Sequence, residues 1–208
     1  MKGKKNSSNE KGVSAKSVLF EEEYYEHAVF ENFAITNTKL ADIEFFDCEF
    51  RGLLISKIKF LACRFEKCVI KNCDLSLSTL TDCSFTNVSF INCKLVGIDW
   101  TKISIPSQFE FTECKMNDSI FYSMDLRNTK LTKCEARNVD FEKSNLSKAD
   151  LSESDFLNSA FTSANLSFAD LTGAKNYNID PTQTNIKKAK FSLPEALSLL
   201  DKWEVQID

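Results

Sequence analysis

Residues 149–173 read ADLSESDFLNSAFTSANLSFADLTG, and Leu or Phe occupies every fifth position from Leu151 to Leu171. The same spacing extends back to Phe20, with one slip of a single residue between Trp100 and Phe111. Of the 30 positions in this series, 26 are Phe, Leu or Ile, so the series is not a product of chance. A second series of smaller residues, which includes all eight cysteines, lies two positions earlier.

A period of five fits neither a helix nor a continuous strand. On a helix the apolar stripe would drift by roughly 140° at each step, and on a flat strand an odd step changes the face. The pattern is explained if each group of five residues forms a short extended segment followed by a corner. Both series then point inward, which predicts an all-β solenoid.

Cysteine spacing predicts the number of sides of each coil. Cys48 and Cys68 are twenty residues apart, as are Cys63 and Cys83. Twenty residues per coil correspond to four faces. We therefore predict a repeat region over residues 17–175, interrupted near 101–110, between a disordered basic lead-in (1–16) and a C-terminal cap with a short helix (176–208).

The repeat resembles that of a known family. Ala149-Asp150-Leu151 matches the Ala-(Asp/Asn)-Leu-x-x consensus of the pentapeptide-repeat proteins. This resemblance implies a right-handed quadrilateral β-helix, and 30 repeats at four per coil give about 7.5 turns and a length of roughly 36 Å.

The cysteines favour core packing over metal binding. They share their positions with Ala, Ser and Val, and buried free Cys behaves as a small hydrophobic residue. Cys63, Cys68 and Cys73 are each separated by four residues, but no such pair is accompanied by partner histidines, since His27 is the only histidine. Because no phosphate-binding loop or catalytic triad is present either, we expect a protein without cofactor, metal or enzymatic activity.

The interruption is the first candidate site. It is read either as a bulge that absorbs one residue or as a loop that contacts a partner. The candidate loop residues are Trp100, Lys102, Ile105, Pro106, Ser107 and Gln108.

The C-terminal cap is the second candidate site. Ser192-Leu193-Pro194-Glu195 predicts a capping box at the start of a helix, and residues 205–207 a short strand. The cap either covers the open end of the solenoid or also binds a second copy. The candidate contact residues are Leu197, Leu200, Trp203, Val205 and Ile207.

Two segments indicate which members of the family the chain resembles most. Residues 178–200 of the tail and 97–109 of the interruption are similar to the microcin B17 immunity protein and, more broadly, to quinolone-resistance pentapeptide proteins. This resemblance implies a cytoplasmic, dimeric, DNA-like rod that binds DNA gyrase or topoisomerase IV and gives drug resistance or toxin immunity. It implies no direct binding of nucleic acid. No membrane contact is expected either, because no stretch approaches the roughly 18 apolar residues of a membrane span. The alternative is a scaffold for an unrelated protein partner.

Charge supports DNA mimicry only in part. Residues 17–50 hold nine acids against Lys39, whereas residues 51–134 hold eight acids against twelve basic residues. The alternative is that these acids are ordinary solvated groups paired between coils. The third candidate site is an acidic face formed by Glu22, Glu26, Asp42, Glu44, Asp47 and Glu49.

Overall fold

The structure is a computed structural model that describes Phe20, residues 22–203 and Val205. The predicted lead-in at residues 1–16 lies outside these residues. The regular elements are short, as expected for segments that end at corners. The strands are β1 Tyr24–Glu26, β2 Val29–Glu31, β3 Lys39–Ala41, β4 Glu44–Phe46, β5 Glu49–Arg51, β6 Lys59–Leu61, β7 Arg64–Glu66, β8 Val69–Lys71, β9 Thr79–Thr81, β10 Ser84–Ile91, β11 Gln108–Thr112, β12 Leu131–Thr132, β13 Asp170–Leu171 and β14 Lys190–Phe191. Two 3-10 helices span Trp100–Lys102 and Glu195–Trp203.

The strands pair in parallel with the strand twenty residues away. Phe45 lies beside Phe65, which lies beside Phe85, and the other ladders have the same step except across the interruption, where β10 and β11 pair 21 or 22 residues apart. The result is a parallel β-solenoid of about eight turns with four faces, which confirms the predicted fold class. Face 1 contains β1, β4, β7 and the start of β10, and continues through the bridges of Asp125, Asn145, Asn165 and Asn185. Face 2 contains β2, β5, β8, the end of β10, β11 and β12; face 3 contains the bridges from Ala34 to Lys175; face 4 contains β3, β6 and β9.

The core consists of the two inward series. Phe45, Phe65 and Phe85 are buried and stack on one another, with ring centroids 5.0 and 5.1 Å apart and ring planes within 17° and 3° of parallel. All eight cysteines are free and buried, as predicted. Cys73 is typical, since its thiol donates to the carbonyl oxygens of Lys71 (3.3 Å) and Phe50 (3.5 Å). An apolar void of about 20 Å³ inside the early coils is far smaller than the roughly 300–1,000 Å³ of ligand pockets.

The corners explain the recurrent Asn and Asp of the sequence. In nearly every unit the second residue after the large one has a left-handed backbone, as at Asn72 (φ 55°) and Asp82 (φ 55°); Lys102, which lies in a 3-10 helix, is an exception. Asn, Asp and Gly adopt this conformation most easily. The Asp before the large residue has another role: the side chain of Asp150 accepts a hydrogen bond from the Ser152 N–H (3.1 Å). These acids therefore stabilise the turn of each unit.

One local prediction for the C-terminus is wrong, and the strand over residues 205–207 stays a prediction. The Ser192 hydroxyl accepts a hydrogen bond from the N–H of Gly173 (3.0 Å), so it docks the chain onto the last coil instead of capping the helix. Val205 lies in no strand, and residues 206–207 lie outside the described part of the chain. Among the residues that the structure describes, no helix is long and apolar enough to cross a lipid bilayer.

Candidate functional site: face 1 and its loop

The interruption lies on face 1, in the middle of the solenoid. Asp99 begins the first 3-10 helix by accepting a hydrogen bond from the Thr101 N–H (3.0 Å). The Ser104 N–H then donates to the carbonyl oxygen of Cys83 (2.7 Å), which aligns the loop with the preceding coil of face 1. Residues 104–108 replace the strand that would otherwise follow β10 on this face. The β10–β11 register shifts between Thr86 and Val88, and this shift absorbs the extra residue.

Trp100 is an anchor of the loop and not part of its surface. The side chain is fully buried, and its ring stacks on Phe121 with centroids 5.6 Å apart. The prediction that Trp100 contacts a partner is therefore corrected, because a large aromatic residue in the inward series fills the core instead.

The other candidate loop residues lie at or near the surface. Ile105 is 81% exposed, an unusual position for a large apolar side chain. Lys102, Pro106 and Gln108 are exposed as well, and the Ile105–Pro106 peptide bond is cis. Ser107 is half-buried, and its hydroxyl donates to the carbonyl oxygen of Ser104 (2.7 Å), which ties the loop to itself. The loop thus presents one apolar side chain in a polar setting.

Five of the six predicted acids also lie on face 1 or at its edges. Glu26 and Glu44 point outward from β1 and β4, while Asp42 and Asp47 occupy the corners before and after this face. Glu22 lies one coil above Asp42. Glu49 belongs to face 2 instead. The acids and the loop therefore lie on one surface. Summing the charges face by face reveals this arrangement, which the linear sequence does not show.

Several of these acids are already paired. Glu44 contacts Arg64 in the next coil (2.9 Å), and Asp47 contacts His27 (2.7 Å). Glu49 pairs with Arg51, whose guanidinium lowers the pKa of this carboxyl by hydrogen bonding. Within the described chain, Glu22 and Asp42 form no ion pair, so uncompensated negative charge remains at the corner before face 1.

The cap lies at the other end of the solenoid and is held by polar contacts. Lys202 of the C-terminal 3-10 helix pairs with Asp180 (3.2 Å), and hydrogen bonds from Thr182, Gln183 and Lys202 lower the pKa of Asp180. Among the candidate contact residues, Leu197, Trp203 and Val205 are exposed, whereas Leu200 is half-buried. Ile207 lies outside the described residues.

Comparison with known proteins places the chain in a family. The sequence model described as Pentapeptide repeats matches residues 58–97, 110–147 and 140–175, with eight copies. The chain belongs to the pentapeptide-repeat family. No curated protein sequence matches this pentapeptide-repeat protein.

Solved structures share the fold of this pentapeptide-repeat protein. A trypsin-treated form of QnrB1, a plasmid-mediated fluoroquinolone resistance protein, is 18% identical with a TM-score of 0.69, and the match covers 88% of this chain and 99% of that one. Full-length QnrB1 is 20% identical with a TM-score of 0.55, covering 88% of this chain and 100% of the other. At these identities the likeness describes the fold.

Proposed function

We propose that this protein binds a type II topoisomerase, DNA gyrase or topoisomerase IV, and protects it from a drug or a toxin without catalysing a reaction. The observation that carries the proposal is the acidic upper half of face 1, on a solenoid with the fold of a fluoroquinolone resistance protein. The tail and interruption motifs that resemble microcin immunity proteins support the same partner.

The geometry supports partial mimicry of DNA. Duplex DNA presents one negative charge per roughly 1.7 Å of axis. On face 1, acids recur over the coils of β1 and β4, and coils of such a solenoid are about 4.7–4.9 Å apart. The charge density is therefore lower than that of DNA, and it is confined to one half of the face. Ile105, on the neighbouring loop, supplies an apolar contact of the kind that fixes the register of an interface.

A protein of this kind acts by occupying the DNA-binding surface of the topoisomerase. Acidic side chains would compete for the basic groove in which the topoisomerase holds DNA, and electrostatic attraction would speed the encounter. Protection should then saturate at a fixed ratio of protein to enzyme, because nothing is turned over.

The test is a gyrase supercoiling and DNA-cleavage assay with a quinolone or a microcin, over micromolar concentrations of this protein. Asp42→Lys with Asp82→Lys should abolish protection, because both corners belong to the acidic half of face 1. Lysine already adopts the left-handed backbone at Lys143, in the same corner column, and at Lys67, at the corner after face 1, so these changes keep the fold.

The matched control is Glu113→Lys with Glu153→Lys, which makes the same change of charge at the corner between faces 2 and 3 and should retain protection. If the unaltered protein neither binds nor protects gyrase or topoisomerase IV, the proposal is wrong. Equal loss of protection in both pairs would show that face 1 is not the contact surface.

A further inference from the structure

Face 1 carries opposite charges on its two halves. Consider the face together with the corner columns before and after it, called here the face 1 strip. Above the loop, the five acids placed on this face are joined by Glu66 and Asp82 and opposed only by Arg64 and Lys67. From the loop downward, Asp125 is the one acid among the described residues. The basic residues of this lower half are Lys102, Arg127, Lys143, Lys148, Lys187 and Lys188.

Local pairing does not cancel this separation. Within the described residues, Glu66 and Asp82 in the upper half form no ion pair, like Glu22 and Asp42 above them. In the lower half Lys148 and Lys187 likewise have no acidic partner. Lys188 and Lys143 lie over exposed rings, at 5.2 Å from the centroid of Phe168 and 5.1 Å from that of Tyr122. Their charges remain available at the surface.

The order of charged coils along the solenoid axis makes the strip self-complementary. The loop lies between the two halves, with about four coils above it and four below. A two-fold axis in the plane of contact, perpendicular to the solenoid and passing through the loop, would reverse the strip end for end. The coil of Glu26 then opposes the coil of Lys187, and the coil of Glu66 opposes that of Lys148.

We propose that face 1 binds a second copy of this chain in antiparallel orientation, acidic half against basic half. The contact is isologous and closes as a dimer, because each copy contributes the same patch. This inference goes beyond the proposed function and does not depend on it; because both contacts use face 1, the dimer and the topoisomerase complex exclude one another. It also differs from pairing through the C-terminal cap, which involves other residues.

The dimensions and the centre of the strip suit such a contact. About eight coils at 4.8 Å, with a width of about 18 Å, give roughly 700 Å² per copy, near the 800 Å² of a standard interface. The axis brings the two Ile105 side chains together, so that an exposed apolar residue fills the centre and charged groups form the rim. Because the attraction is mostly between surface charges, the dimer should weaken with salt.

The test is analytical ultracentrifugation at low and high salt, with every protein carrying Trp203→Asp so that pairing through the cap does not contribute. One variant makes the net charge of the strip strongly basic (Asp42→Lys, Glu66→Lys, Asp82→Lys). The other makes its net charge strongly acidic (Lys143→Glu, Lys148→Glu, Lys188→Glu). A control reverses Lys57 and Lys133, which lie on other corners.

The parent protein should dimerise at low salt and dissociate at high salt. Each reversed variant alone should weaken the dimer about tenfold or more, since a tenfold change needs only about 1.4 kcal/mol. An equimolar mixture of the two variants should dimerise again, because the strip of one copy then has a net negative charge and the strip of the other a net positive charge. This recovery also shows that both variants are folded.

A parent protein that stays monomeric at low salt, a mixture that fails to dimerise, or assembly beyond dimers would each overturn the proposal. Ile105→Cys supplies a second measurement: its thiol should form a disulfide between copies under mild oxidation, whereas Leu54→Cys on face 3 should not. Equal cross-linking at both positions would contradict the antiparallel contact.

Discussion

At the scale of single residues, each position in a five-residue unit has one physical task. Two side chains fill the core, one near the axis and a smaller one toward the corner. The corner residue takes a left-handed backbone, which Asn, Asp and Gly tolerate best. Phe168 adopts the same conformation with φ 61° and is half exposed, so a bulky residue bears strain there beside Lys188.

The column of buried thiols predicts a dependence of stability on pH. Hydrogen bonding to the next thiol, with burial, raises the pKa of Cys93 and of Cys114 to about 12. In the unfolded chain a thiol ionises near pH 8.5, so from there to about pH 12 the unfolded state loses protons that the folded state keeps. The free energy of unfolding should therefore fall as pH rises, by about 1.4 kcal/mol per pH unit for each such thiol.

Urea unfolding between pH 8 and 10.5 measures this slope. The double variant Cys93→Ala with Cys114→Ala should have a shallower slope, while alanine remains compatible with the position, as at Ala149 and Ala164. Identical slopes in the two proteins would show that these thiols ionise as readily in the folded state as in the unfolded chain.

At the scale of elements, the loop depends on a residue that lies beneath it. Trp100 packs against Phe121 and Phe90, and no hydrogen-bond partner for its Nε1 lies among the described residues. Ile105, five residues later, is nearly free of contacts with the core. Within this irregular segment, Trp100 therefore stabilises the loop from the core, while the side chain of Ile105 is exposed to solvent.

Substitutions separate these two roles. Trp100→Ala should lower the free energy of unfolding by about 3–5 kcal/mol, as for other buried aromatic residues. Trp100→Phe should cost much less, because it also removes an unpaired buried donor and Phe occupies this column at Phe121. Ile105→Ala should change stability by less than about 0.5 kcal/mol. Chemical denaturation measures the free energy of unfolding of the three variants. Similar losses of stability for Trp100→Ala and Ile105→Ala would contradict the separate roles of the two residues.

The cap yields a separate prediction about assembly. Leu197 and Trp203 are exposed apolar residues on a short helix that Lys202 ties to Asp180. If the cap binds a second copy, Leu197→Asp with Trp203→Asp should reduce the mass in solution at high salt, where pairing through charges is screened. Lys187→Ser, near the cap but on face 1, serves as the control. An unchanged mass in the double variant would restrict the cap to covering the solenoid.

At the scale of the whole molecule, stability is a sum over coils. Each coil contacts mainly its two neighbours, as in other repeat proteins. Deleting residues 131–150 removes one full turn and joins Lys130 to Leu151 with the phase and the faces preserved. Thermal unfolding should stay cooperative, with a modestly lower midpoint. Deleting residues 131–148 instead places Ala149 at a large inward position and should abolish cooperative unfolding. Circular dichroism distinguishes these outcomes, and equal behaviour of the two deletions would contradict the model of in-register coils.

The sequence predicts the repeat more completely than the site. Large residues at every fifth position identify the core, and the cysteine spacing predicts four faces, because both effects repeat along the chain. The prediction for Trp100 is wrong because Trp100 is the last in-phase position of the inward series, and its place beside the interruption does not expose it. Ser192 was misassigned because its hydroxyl bonds to Gly173, a contact nineteen residues away that no local motif encodes.

The step of twenty residues between paired strands also bears on how fast the chain folds. Partners such as Phe45 and Phe65 are close in sequence, although the protein consists of β-structure. Twenty residues in a chain of 208 give a relative contact order of about 0.1, which is typical of helical bundles and well below that of β-sandwiches. Each finished coil is a template for the next, so ordering proceeds by short loop closures and needs no distant strand to arrive.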